Sequence, residues 1–161
     1  MTIGIIVFSL GLEDVEPSKC NVRLGQSAIR LARREIGKGR SIQVVSQWEP
    51  LPVIEQAGLR AVRIVGPNKD GSYLSGDRVF AEAAAHFQRQ GIIKLILVVH
   101  PLAWPFVWLR AKLARFKVAW RWPGWIGFNR RSKQWQDRSA MRLLTYGAIQ
   151  VFKGRAVKGR G

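Results

Sequence analysis

The sequence predicts an α/β domain, a three-layer Rossmann-like sandwich built on a mainly parallel five-stranded sheet. Three observations predict it. Ile3 to Phe8 and Leu95 to Val99 are unbroken apolar runs, which suit strands covered on both faces rather than strands with one wet side. Strand-like and helix-like stretches alternate along the chain, the pattern of β-α units. The chain has 161 residues, of which 47% are hydrophobic. That is enough for one domain to bury a core of its own without disulfides or metal. No internal repeat or low-complexity linker divides the chain. One domain is expected over 1–152, followed by a basic flexible tail over 153–161.

The elements follow in order. Ile3 to Phe8 is the first strand. Glu13, Asp14 and Glu16 follow it and no basic leader precedes it, so it reads as a strand and not as a signal peptide. Asn21 is placed to cap a helix from Val22 to about Ile36, with Val22, Ile29, Ala32 and Ile36 on one face. Gly37 and Gly39 end that helix. Ser41 to Ser46 is the second strand. Pro50 and Pro52 open a short helix that Gly58 closes. Ala61 to Val65 is a third strand, at an edge, and 66–71 is a loop by composition.

A helix from about Leu74 to Gln90 comes next, with Val79, Phe80, Ala83, Ala84 and Phe87 facing inward. Leu95 to Val99 is the central strand, and His100-Pro101 turns the chain. Trp104 to Phe116 reads as a helix with Pro105 accommodated in its first turn. Lys117 to Trp120 is the last strand. Arg121 to Arg131 is a loop rich in Trp, Gly and basic residues, and Lys133 to about Val151 is the final helix.

Composition narrows the function classes. Cys20 is the one cysteine and there are two histidines, so an intrachain disulfide is excluded and a structural zinc site is not expected. No metal site is assigned. No apolar run reaches the roughly 20 residues of a membrane helix, and a cytoplasmic location is expected. The net charge is +17, and it is uneven. Residues 1–82 carry 11 Lys/Arg and 9 Asp/Glu, whereas 83–161 carry 16 Lys/Arg and only Asp137. Such a field attracts polyanions or anionic lipid without conferring selectivity.

In a parallel sheet, ligands bind beyond the carboxyl ends of the strands. This rule selects Ser9 and Gly11 after the first strand, Ser46 and Glu49 after the second, and His100 after the fourth. His100 is either a general base or phosphate partner, or a structural strand cap. Glu49 is either a ribose partner or a solvated carboxylate. Neither dinucleotide nor P-loop glycine spacing is present, so cofactor binding of those kinds is not expected. Trp104, Trp108, Trp120, Trp122, Trp125 and Trp135 are interleaved with Arg110, Lys112, Arg115, Lys117, Arg121, Arg130 and Arg131. That mixture fits a core or dimer contact, a nucleic-acid surface, an anionic ligand or a membrane interface.

Four stretches carry a resemblance: Asn21 to Ala32, Gly71-Ser72-Tyr73-Leu74-Ser75, Ile96 to Leu102, and Ser132-Lys133-Gln134-Trp135-Gln136-Asp137-Arg138-Ser139. Together they resemble the ElyC/SanA/YdcF-like proteins, a bacterial domain of unknown function. The Ser/Gln/Trp stretch is the most specific of the four. The resemblance implies a ligand site to which Ser72, Ser75, Ser132 and Gln134 add, with S-adenosylmethionine as a possible ligand. The chain departs from that pattern at Gln47-Trp48, at Gly76 and at Ala103 to Phe106, where the family carries more polar and cationic groups. Typical envelope members also have membrane helices, which this sequence lacks.

Two functions are therefore expected from the sequence. One is a small anionic or nucleotide-like ligand bound at the strand ends, with His100 as the base if there is chemistry. The other is a non-catalytic interaction module whose basic, Trp-rich second half binds nucleic acid, anionic lipid or a protein partner.

Overall fold

The computed structural model describes residues 1–11, 13, 17–64 and 75–158. Five strands form one sheet: β1 (Thr2–Val7), β2 (Ser41–Ser46), β3 (Ala61–Arg63), β4 (Lys94–Val98) and β5 (Lys117–Ala119). Every pairing is parallel, and the order is β3-β2-β1-β4-β5. The helices are α1 (Lys19–Ile36), α2 (Leu51–Gln56), α3 (Gly76–Arg89), α4 (Trp104–Leu113) and α5 (Ala140–Lys158), with a 3-10 turn over Trp135–Arg138. The fold is the Rossmann-like α/β sandwich that the alternation predicts.

The alternation of side chains along β1 explains its unbroken apolar run. Ile6 and Phe8 enter one core with Val79, Phe80 and Phe87 of α3. Ile3, Ile5 and Val7 enter the opposite core with Leu24, Ala28 and Leu31 of α1. β4 divides in the same way, Leu95 and Leu97 on one side and Ile96 and Val98 on the other. A strand covered on both faces has no position left for a polar residue.

Gly4 occupies the α3 side of β1. A Cβ there would lie 2.7 Å from Leu95 Cδ2 and 2.9 Å from Phe87 Cε1. Its absence lets the fully buried Phe87 ring lie against the sheet. Gly4→Ala is expected to cost about 1–3 kcal/mol through overpacking, measured as a lowered urea midpoint with an unchanged slope.

The first helix departs from expectation in two ways. Its N-cap is Ser18, whose hydroxyl accepts from the Asn21 N–H, and the helix starts at Lys19. Asn21 lies inside the first turn, where its side chain is taken up by the loop after β1. The buried stripe is Cys20, Leu24, Ala28, Leu31 and Ala32, while Ile36 is exposed. Gly25 lies on this buried side, where a Cβ would come 2.8 Å from Val53 Cβ, so α1 and α2 approach closely.

α3 buries Val79, Phe80, Ala83, Ala84 and Phe87, as its periodicity predicts. β3 is an edge strand, as expected, and β5 is the other edge. The final helix begins later than the sequence suggests: the 3-10 turn and Ser139 precede α5, and α5 continues through Lys158, past the expected start of the tail at 153. Among the described residues, no helix is long and apolar enough to cross a membrane.

Candidate functional site

β2 and β3 lie on one side of β1, and β4 and β5 lie on the other. The chain segments leaving β1 and β4 therefore diverge at the carboxyl edge of the sheet, which opens a crevice between them. A cleft of about 760 Å³ of empty space, its open mouth included, occupies this position. Its floor is Phe8, Ser9 and Leu10 after β1, Gln47 after β2, and Val99 and His100 after β4. α4 contributes Phe106 and Arg110, the 3-10 turn contributes Gln136 and Asp137 with Gln134 just before it, and α5 contributes Tyr146 and Gly147. Neither Trp48 nor Trp104 is on its wall.

The loop after β1 is fixed by side chains from two neighbouring elements. Ser9 N–H donates to Gln47 Oε1 at 2.7 Å, and Ser9 Oγ donates to Glu49 Oε1 at 3.1 Å. Leu10 N–H donates to Asn21 Oδ1 at 2.9 Å, and Asn21 Nδ2 donates to Gly11 O at 3.3 Å. Asn21 and Glu49 are fully buried, so these bonds form away from competing water and hold the loop in one shape.

Gly11 then meets the segment before α5. Its φ is +79°, and a Cβ would stand 2.7 Å from Asn129 Nδ2 and 2.9 Å from Ser132 Oγ. Both the backbone conformation and the space require glycine there. Gly11 N–H donates to the Asp137 carboxyl group. The segment is itself tied together: Asn129 N–H donates to Asp137 O at 2.9 Å, Gln134 N–H to Ser132 Oγ at 3.0 Å, and Arg138 Nε to Ser132 O at 2.8 Å.

Asp137 is the acid that sequence reasoning left without a role. It is 4% exposed. Burial raises its pKa from 3.8 to about 7, and the Gly11 N–H opposes that rise only in part. Its Oδ2 is buried and has no hydrogen-bond partner among the described residues, and the same holds for Gln134 Nε2. The sequence signal was available, because Asp137 is the sole acid after Glu82. An acid isolated in a basic half is placed there for a local reason.

His100 is buried, and its Nδ1 accepts from Leu102 N–H at 3.2 Å. Its ring lies 4.9 Å from Phe128 and 6.2 Å from Trp125, centroid to centroid. Burial lowers its pKa to about 4, and the backbone of Gly127 opposes this from nearby without completing a well-formed bond to Nε2. The ring is therefore neutral at pH 7. Of His100 and Asp137, both on the wall, Asp137 is the one poised to exchange a proton near neutrality. Elsewhere in the lining Arg110 Nη2 pairs with Asp77 Oδ2 at 2.6 Å. Burial raises the Asp77 pKa, with Arg110 acting against it.

The sequence-selected residues divide by position. Ser9, His100 and Gln134 line the cleft. Gly11, Ser46, Glu49 and Ser132 lie behind the wall, Ser46 donating to Gln47 O at 2.8 Å. Ser75 is the N-cap of α3, accepting from Arg78 N–H, and Gly76 and Asp77 after it reach the cleft. Ser72 lies outside the described residues.

No family model matches the chain, and no curated protein matches it. Among solved structures it is similar to the glycosyltransferase VinC in complex with dTDP, with a TM-score of 0.50 and 13% identity over 92% of this chain. The chain spans 44% of that structure's length. It also matches glycinamide ribonucleotide transformylase 1 from Symbiobacterium toebii, with a TM-score of 0.33 and 21% identity over 60% of this chain and 40% of that one. The likeness to the glycosyltransferase structure shows the class of fold: a Rossmann-like parallel α/β domain.

Proposed function

We propose that the chain is a ligand-binding α/β domain of the ElyC/SanA/YdcF-like kind, holding a small nucleotide-like molecule in the cleft at the carboxyl edge of the sheet. The observation that carries this reading is that two cleft-lining residues, Asp137 and Gln134, each keep a buried polar atom, Oδ2 and Nε2, with no partner among the described residues. Buried polar groups are almost always satisfied, and leaving one unsatisfied costs about 1–3 kcal/mol. A ligand hydroxyl or N–H donating to Asp137, and a ligand acceptor facing Gln134, would meet both needs. Arg110, also in the cleft lining, gives an anionic group of the same ligand a partner in exchange for Asp77. S-adenosylmethionine, suggested by resemblance, belongs in the same test.

Thermal unfolding with nucleoside mono- and diphosphates, sugar phosphates and S-adenosylmethionine tests the reading. A ligand present at 100 times its Kd is expected to stabilise the fold by about 2.7 kcal/mol, several degrees in Tm for a chain of this size. Asp137→Ala is expected to abolish that increment. A well-folded protein whose melting none of these compounds moves would overturn the proposal.

A further inference from the structure

We infer that the irregular segment 120–131, together with the outer face of α1, is a docking surface for an anionic lipid bilayer. Trp125 neighbours His100 of the cleft floor, but the inference does not depend on what the cleft binds. Trp120, Trp122 and Trp125 are 48%, 54% and 64% exposed. Three large apolar rings on one short irregular segment are costly to leave in water, and scattered exposure does not account for them.

Trp120 and Trp122 are linked to each other and to the indoles of α4, whereas Trp125 packs against Phe128 at 6.2 Å. Trp108 stacks on Trp104 at 6.0 Å, Trp104 meets Trp120 edge-to-face at 4.2 Å, and Trp120 meets Trp122 at 6.2 Å and 52°. The result is a continuous indole cluster running from α4 to the exposed segment.

The segment is laid against α1 by cations. Arg23 Nη1 donates to Ile126 O at 3.0 Å, and Arg30 Nη2 donates to Pro123 O at 2.8 Å. Both arginines are otherwise exposed, as are Arg130 and Arg131. Their partners here are carbonyl oxygens, so their charge is not neutralised. No Asp or Glu occurs between Glu82 and Asp137. Glu35 on α1 is buried and already engaged by Lys38, Arg40 and Arg121. The surface is thus cationic with indole rings projecting from it.

Charge complementarity selects an anionic partner, and the ring geometry selects lipid over nucleic acid. Single-stranded bases need open ring faces on which to stack. Trp120 stands edge-to-face with Trp104 and Trp125 with Phe128, and Trp122 is tilted 52° to Trp120, so the exposed rings do not form a row of parallel faces for successive bases. Indoles partition instead to the headgroup level of a bilayer, where basic side chains meet anionic lipid.

The test is co-sedimentation of the full chain with phosphatidylcholine vesicles and with vesicles of phosphatidylcholine and phosphatidylglycerol in a 3:1 ratio. Brominated acyl chains serve as quenchers of tryptophan fluorescence. Binding to the anionic vesicles is expected, with quenching, and at least tenfold weaker binding to the neutral ones. The double variant W122A/W125A, both positions being exposed, is expected to keep its melting curve and to lose affinity at least tenfold. R130Q/R131Q is expected to weaken binding and reduce its salt dependence. Sedimentation without quenching in the wild type, undiminished binding by a folded W122A/W125A, or binding to oligo(dT) with none to vesicles would each overturn the inference. The quenching measurement needs no variant, so it decides the matter even where a variant fails to fold.

Discussion

Asp137→Asn is expected to remove a loss of stability that the wild-type domain suffers as pH rises from about 4 to 7. The folded-state pKa of this carboxyl is raised, from 3.8 to about 7. A raised acid holds its proton more tightly in the folded chain than in the unfolded one, so its favourable contribution is present below the unfolded value and disappears as pH climbs through the folded value. The slope from this one group reaches at most about 1.4 kcal/mol per pH unit. Asparagine keeps an acceptor for the Gly11 N–H and cannot ionise. Urea midpoints of both proteins across this range, taken as the difference between them, cancel the other titrating groups. Parallel curves for the two proteins would contradict the burial of the ionised carboxylate.

Glu35→Ala is expected to show the opposite dependence on acid and a loss of about 1–3 kcal/mol at pH 7. The carboxylate is fully buried, with Lys38 Nζ at 3.1 Å, Arg40 in contact and Arg121 Nε at 3.6 Å. Burial alone would raise its pKa, but the hydrogen bonds and charges of Lys38 and Arg40 outweigh it and the net shift is downward from 4.5. A lowered acid contributes stability above its unfolded value and loses it as pH falls through the folded one. The wild type should therefore weaken below pH 4.5 and the variant should not share that step. Breaking a buried pair costs more than breaking a surface pair. The cations here keep about a third of their surface in water, which limits the loss. Because Arg121 opens the Trp-rich segment, faster amide exchange beyond β5 should accompany the loss of stability.

Much of the fold was legible because it depends on short-range pattern. β1 and β4 are short uninterrupted apolar runs rich in β-branched residues, the pattern of a strand covered on both faces. The buried face of α3 was legible to the residue, since Val79, Phe80, Ala83, Ala84 and Phe87 repeat at helical spacing and all are buried. The start of α1 was not. Ser18 and Asn21 are both good caps, and what separates them is that the Asn21 side chain is used by Leu10 and Gly11, a contact no local pattern encodes.

The candidate site shows the same limit. Ser9 and His100 follow from the rule about strand ends. Asp137 reaches the cleft only because Gly11 admits the 129–138 segment, and that approach joins residues more than a hundred positions apart. Ser132 was selected through the resemblance of its stretch, and it serves to hold that segment in place.

The manner in which 120–128 is fastened has a consequence for how this region can change. Arg23, Ser27 and Arg30 all grip main-chain oxygens, at Ile126 and Pro123. A clamp on carbonyls is indifferent to the side chains it carries, so Trp122 and Trp125 can be exchanged while Pro123 and the buried Ile126 keep the route. The domain thereby holds a short stretch whose recognition chemistry can be rewritten by mutation without redrawing the backbone, a ready place for divergence in nature and for grafting in the laboratory.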